Sequence, residues 1–387
     1  MKRIVNLYSV ISVLALLVVI SSCSNKALVN NAVRWAEEGV KLDTALKSVN
    51  AAEELEDTKD WAKTYYAKGL VYDAISQSSD EEFKTLSEEP LIKAFENYKK
   101  AYNMEGGNLY QGPIDAKMIT LVNQFINEGV EAYNAEDFVT ANTYFEKSLE
   151  VKEMPVFGGE VDTAVIFNVA ITAEYSEDHE EAIKYYKQCI EYDYEPITCY
   201  RRIKNNYFAL GDTLKGINAL KDGINQFPES KALLIDLTNY YLVDADDPEQ
   251  AIEYLQKAQE QDPRNAQLFA TEGSIYDRMG NQEKAIALYE KAIELDPEAF
   301  LPYYNMGVIY FNQGVELADK AGMTRDDNEY LKLKKEADEK FQKALPFLEK
   351  ASEISPDDKA LLNTLKTLYY RLKMNDKYQE VLERMSE

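Results

Sequence analysis

The sequence is poor in the side chains on which most catalysis depends. Its 387 residues include one histidine and three cysteines. No Cys/His cluster has metal-ligand spacing, no Gly-rich loop opens a helix as a phosphate cradle does, and no Ser-centred elbow is present. His179 lies between Asp178 and Glu180 and reads as a solvated turn residue. An enzyme is therefore not expected, nor a metal or cofactor. Basic residues are also outnumbered: 43 Lys and Arg stand against 68 Asp and Glu, for a formal charge of −25. That balance excludes the basic stripe used for nucleic acid and disfavours adsorption of the protein surface to anionic headgroups.

What the sequence does have is apolar periodicity. Hydrophobic residues make up 45% of the chain, enough for a continuous core, and there are 28 tyrosines. Residues 266–297 read as two short amphipathic helices. In the first, Phe269, Gly273 and Tyr276 fall on one face; in the second, Ala285, Tyr289 and Ala292 do. Gly280 and Asn281 break the pattern, with Asn281 placed to cap the second helix. Asp296-Pro297 ends it. Small residues let the helices approach closely while aromatics fill the space between them.

The pattern repeats. Pro228, Pro263 and Pro297 end successive units thirty-five and thirty-four residues apart, and Pro356 ends a unit lengthened by an insertion. The small second-helix position recurs as Ala94, Ala141, Ala182, Gly216, Ala251, Ala285 and Ala344. Four residues on come Tyr98, Phe145, Tyr186, Leu220, Leu255, Tyr289 and Leu348, and three further Ala101, Ser148, Cys189, Gly223, Ala258, Ala292 and Ala351. This order closely resembles the tetratricopeptide (TPR) repeat. The resemblance implies an all-α fold, a right-handed superhelical solenoid of helix-turn-helix repeats. Glu272 departs from the pattern, since the family places an apolar residue there. Lys204 stands at a usually small site, and Gly216 with Gly223 should soften one second helix.

In the resembled family the first helices line a concave groove, through residues one, four, eight and eleven places after each unit's start. Those positions here include Arg201, Asn205, Phe208, Asn239, Leu242, Gln267, Asp277, Tyr304, Phe311, Asn363 and Tyr370. Arg201, Asn205 and Asn239 resemble part of a clamp for a peptide's terminal carboxylate, but Ala270 and Ser274 replace basic residues in a following unit. Tyr304, Phe311 and Tyr370 are aromatics on a face expected to be exposed, needing either a ligand or the neighbouring insertion to cover them.

The amino terminus is a separate signal. Lys2 and Arg3 precede an almost wholly apolar Ile4–Ile20, and Ser21-Ser22-Cys23 closes it, a secretory pattern. Small residues before Cys23 resemble the bacterial lipoprotein signal, implying cleavage before Cys23 and its lipidation; Ile20 stands where that family prefers Leu. Ser24 in place of Asp favours the outer membrane by the same analogy. The following residues lack the acidic cluster of Bacteroidota surface export, which favours the periplasmic side. Cys189 and Cys199 read as two unpaired buried thiols, with a disulfide as the alternative in an exported chain.

These signals divide the chain into a signal peptide (1–22), an amino-terminal helical cap (23–61), repeats with insertions (62–155), a regular array (163–299) and carboxy-terminal units (300–387). The last group includes a charged helical hairpin, kinked at Pro346. The expected function is a scaffold, lipid-anchored in the cell envelope, that binds a protein or peptide partner with basic segments. A carbohydrate- or peptidoglycan-binding outer-membrane lipoprotein is the alternative.

Overall fold

The computed structural model describes residues 25–386. The signal segment and Cys23 lie outside them. Every regular element among the described residues is helical. The chain divides into two compact units, one through Gly216 and one from Ile217. The division falls inside α11 (Thr213–Gln226), the helix that carries Gly216 and Gly223.

The first unit begins with α1 (25–38) and α2 (Leu42–Glu54). The hairpin of α3 (Ala62–Ser76) and α5 (Pro90–Asn103) has a single turn of helix, α4 (Glu81–Lys84), inserted in its bend. Then come α6 (Gln111–Asn134) with α7 (Phe138–Lys152), α8 (Thr163–Tyr175) with α9 (His179–Glu191), and α10 (Pro196–Ala209). Tyr98, Phe95, Phe125, Met118 and Leu121 are fully buried in a continuous core running from Val29 to Met154.

The second unit holds α12 (Lys231–Asn239) with α13 (Pro248–Gln261), α14 (Ala266–Arg278) with α15 (Gln282–Leu295), α16 (Phe300–Met323) with α17 (Asp327–Ile354), and α18 (Lys359–Arg371) with α19 (Asn375–Ser386). The charged insertion lengthens α16 to 24 residues and α17 to 28, and α17 runs through Pro346 as one helix. In the last hairpin Val381 is buried and Leu382 is half-buried.

Local chemistry explains where helices begin. Asp137, Asp162, Asp178, Asp247, Asn281 and Asp358 each accept a hydrogen bond from the backbone N–H three residues on. Each cap satisfies a donor that the helix cannot, contributing about 1 kcal/mol. At Asp247 the cap is one-sided: Gln250 turns its amide to Glu253 (3.3 Å), and the Asp247 N–H donates to the Tyr241 carbonyl (2.8 Å).

The buried small residues do what their spacing implies. A Cβ on Gly273 would come within 2.7 Å of the Tyr289 ring, and one on Gly129 within 2.8 Å of the Phe145 ring. The irregular residue Glu272 is only 4% exposed, and both its oxygens accept amide bonds from the neighbouring second helix: Gln256 Nε2 at 2.8 Å and Gln259 Nε2 at 2.7 Å. Two glutamines thus supply what an apolar residue would not require.

Ion pairs pin hairpins in the first unit. Glu53 of α2 pairs with the buried Lys68 of α3 and lies 3.9 Å from Lys100 of α5; Glu150 of α7 takes Lys99 of α5 at 2.8 Å and Lys147 at 2.7 Å. Burial opposes ionisation of both carboxyls, but the lysine hydrogen bonds and charges outweigh it and hold both below the ordinary glutamate value. A depressed folded-state pKa contributes stability above the unfolded value, about 4.3, that is lost as pH falls through the folded one. The Glu53→Gln/Glu150→Gln variant should therefore be less stable than wild type at pH 7, with the gap closing below about pH 4. Urea denaturation of both proteins across that range checks this; a gap independent of pH would overturn it.

Candidate functional site

Each expected groove residue has a definite place. On α10, Arg201 and Asn205 are exposed one helical turn apart. Phe208 is half-buried on the same helix, its ring against Gly216 and 5.5 Å beneath the Lys204 ammonium. Asn239 belongs to the second unit, exposed at the end of α12. Leu242 is not on a regular first helix: α12 stops after nine residues and passes into a π-turn, Tyr240–Asp244. There the Leu242 carbonyl accepts a bond from Arg278 Nη2 (3.2 Å).

Gln267 and Asn363 are exposed, and Asn363 returns its amide to the Lys359 carbonyl (2.9 Å). Asp277 is half-buried, and that burial pushes its carboxyl up from the ordinary value.

The three groove aromatics separate. Tyr304 and Phe311 are half-buried rather than bare. Tyr304 stacks on Phe300 with ring centroids 5.5 Å apart and planes at 12°, and Phe311 packs 5.7 Å from Phe341 of α17. The charged insertion thus covers Phe311 from within the chain. Tyr370 is 72% exposed, with Tyr378 beside it at 6.0 Å.

His179 differs from its sequence reading. It is the first residue of α9, half-buried, with Nδ1 2.8 Å from Asn206 Oδ1 of α10. Asn206 spends its amide Nδ2 on the Arg202 carbonyl (2.9 Å), so its oxygen accepts and His179 Nδ1 donates. The histidine joins two helices.

A cavity that the sequence reading missed lies between α6, α7 and α8. Val130 and Tyr133, Phe145, and Asn168, Ile171 and Thr172 line a volume of about 200 Å³. Val130 is 43% exposed at its mouth. Phe145 takes its place in the lining because Gly129 leaves room for its ring. The far wall is held by Asn142 of α7, whose amide donates to the Val169 carbonyl (3.1 Å) and to Thr172 Oγ1 (3.2 Å). Beside it Tyr133, Phe138 and Tyr175 form an aromatic cluster with centroids 5.0–6.1 Å apart, Tyr175 being 44% exposed. The signal for this cavity was in the sequence. Val130 and Tyr133 stand eight and eleven places into the unit that starts at residue 122, and Ile171 eight into the unit that starts at Thr163. The same offsets give Arg201 through Tyr370.

With the geometry in place, comparison with known proteins fixes the class of repeat. Residues 164–196 match a tetratricopeptide repeat model and residues 273–314 a TPR repeat model. The chain therefore carries tetratricopeptide repeats, one match in each compact unit. Among solved structures it is similar to a TPR repeats protein from Bacteroides fragilis, at 21% identity over 64% of this chain and 98% of that one, with a TM-score of 0.31. It is similar to MamA at 24% identity over 50% and 95%, TM-score 0.34. A third is YrrB, described as a TPR protein with an unusual peptide-binding site, at 17% identity over 46% and 88%, TM-score 0.33. No curated protein matches the chain.

Proposed function

We propose that this chain is a non-enzymatic scaffold that binds a peptide or protein partner along the face of its first helices. The observation that carries this reading is the cavity between α6, α7 and α8. Its volume of about 200 Å³ is below the roughly 300–1,000 Å³ typical of small-molecule sites. It suits one apolar side chain of a longer ligand. Arg201 and Asn205, on a later first helix of the same unit, supply polar contacts to an acidic group and to peptide backbone. The charge of −25 favours a partner with Lys and Arg around its apolar anchor.

Selection of binders from a displayed random-peptide library tests this. Enriched peptides should share one aliphatic or aromatic anchor flanked by basic residues, and their binding should weaken with added salt. Enrichment of no peptide family, or of one indifferent to salt and to the anchor, would sink the proposal.

The same reading places the protein at the cell envelope as an outer-membrane lipoprotein facing the periplasm, held by lipid on Cys23. Two or more acyl chains anchor durably, at about 0.8 kcal/mol per buried methylene. Cells expressing the chain should incorporate labelled palmitate into wild type and not into Cys23→Ser. Label in both proteins, or in neither, would remove the anchor from the proposal.

The glycan-binding alternative has less support. Tyr304, one of the two groove tyrosines that would stack on sugar rings, is packed on Phe300. Tyr370 alone keeps an open ring.

A further inference from the structure

Cys189 ends the buried face of α9 and Cys199 lies in the first turn of α10, across the turn Tyr192–Glu195. Both side chains are fully buried. They lie at one junction as free thiols, and Cys199 Sγ is 3.6 Å from the Tyr194 carbonyl. The turn is tightly specified. Asp193 and Glu195 hold left-handed backbone at φ 55° and 47°, and the Tyr194 N–H donates back to the Cys189 carbonyl at 2.8 Å.

The other repeats show what this register ordinarily contains. At the same ten-residue spacing, the buried pairs of other repeats are Gly223 with Leu233, Ala258 with Leu268, Ala292 with Pro302 and Ala351 with Leu361. A small residue packs beside a large one there, and the pair fills the junction between a second helix and the next first helix. At 189 and 199 the same junction holds two buried thiols of equal size. Packing alone is satisfied by the alanine–leucine solution used elsewhere in the chain. Two sulfurs at one junction add a property that solution lacks, the capacity to bond.

We propose that Cys189 and Cys199 form an intramolecular disulfide that staples α9 to α10 when the chain folds in the presence of a disulfide oxidant. The Cys189 thiolate attacks one sulfur of the oxidant, forming a mixed disulfide and releasing one thiolate, which takes up a proton. Cys199 then gives up its proton and attacks the Cys189 sulfur, breaking the mixed disulfide and releasing the second thiol. Two protein thiols are oxidised to one cystine, and one oxidant disulfide is reduced to two thiols. The same balance holds with the two cysteines exchanged. Since neither sulfur reaches solvent in the folded state, the bond forms during folding or during opening of the turn at 192–195. It would close a ring of residues 189–199, limiting separation of the two helices in the unfolded chain.

The test is refolding of the full chain with oxidised and reduced glutathione, followed by alkylation of free thiols and cleavage at Glu191 or Asp193. Trypsin is unsuitable because Lys187 and Arg201 bracket both cysteines in one peptide. The expected result is that the Cys189 and Cys199 fragments stay joined without reductant, separate with it, and carry no alkyl group. Adding reductant should lower the melting temperature of the oxidised wild type, on the order of 5 °C, and leave that of Cys199→Ser unchanged. Full alkylation of both cysteines after oxidative refolding would overturn the proposal. So would linkage of either one only to Cys23 or to a second molecule. These readouts do not depend on peptide binding, so the scaffold reading and the disulfide fail separately.

Discussion

Ile171→Glu should reduce the affinity of a library-selected peptide by roughly 30-fold or more, the effect of losing about 2 kcal/mol at a hot spot. Ile171 is half-buried on α8, where it lines the cavity together with Val130, Tyr133 and Phe145. A carboxylate there must either be desolvated by the incoming apolar side chain or block it, and both outcomes remove the anchor. Fluorescence anisotropy with the labelled peptide measures the change. A melting curve on the same protein separates lost binding from lost folding, because Ile171 is not among the fully buried residues. Tyr133→Ala should weaken binding in the same direction by enlarging the mouth. Unchanged affinity in both variants would move the contact away from this cavity, with Arg201 and Asn205 on α10 the next positions to test.

The largest stability effect is expected in the second unit. Tyr289→Ala should cost about 3–5 kcal/mol, the range for removing a fully buried aromatic. The Tyr289 ring is completely enclosed and packs against Gly273, and its hydroxyl meets Ser274 Oγ at 3.1 Å and Asn305 Nδ2 at 3.1 Å. It therefore joins α14, α15 and α16 at one point. Tyr289→Phe keeps the ring and loses only the hydroxyl bonds, so it should cost about 1 kcal/mol. Because repeat arrays need not unfold as one body, the measurement is hydrogen exchange resolved along the chain. Protection should fall in α14 through α16 in the alanine variant and change little in the phenylalanine variant. Equal losses in both would mean that the hydroxyl network, not ring packing, holds the three helices.

These two sites differ in how readable they were. Tyr289, Gly273 and Ala285 were legible because a buried helix face repeats at three and four residues, and a repeat displays the same solution several times. The cap at Asn281 was legible for a similar reason: it acts through one nearby backbone N–H, and such bonds are local in sequence. The cavity was only half legible. Its first-helix residues follow the repeat offsets, but its volume depends on how far α6 and α8 stand apart and on the Asn142 bonds that fix Thr172. Neither is encoded within a single unit.

The sequence also misplaced residues wherever a partner distant in sequence decides the environment. For Phe311 the sequence left a ligand and the insertion as possible covers, and Phe341, thirty residues later, packs against it. His179 read as solvated from its acidic neighbours, yet Asn206 binds it from the next helix. Glu272 looked like an error in the pattern until two glutamines of α13 supplied its donors. Leu242 had a groove offset, but the π-turn after α12 takes it off the regular helix.

The sequence alone determined the helical hairpins, their repeat, most of their buried faces and the scarcity of catalytic side chains. Those properties follow from periodicity and composition, which act within one or two turns of helix. Only the tertiary structure decided which first-helix residues are open to a partner and that Phe341 covers Phe311. Exposure and contact are properties of the space between helices, and that space is set by residues the local pattern does not contain.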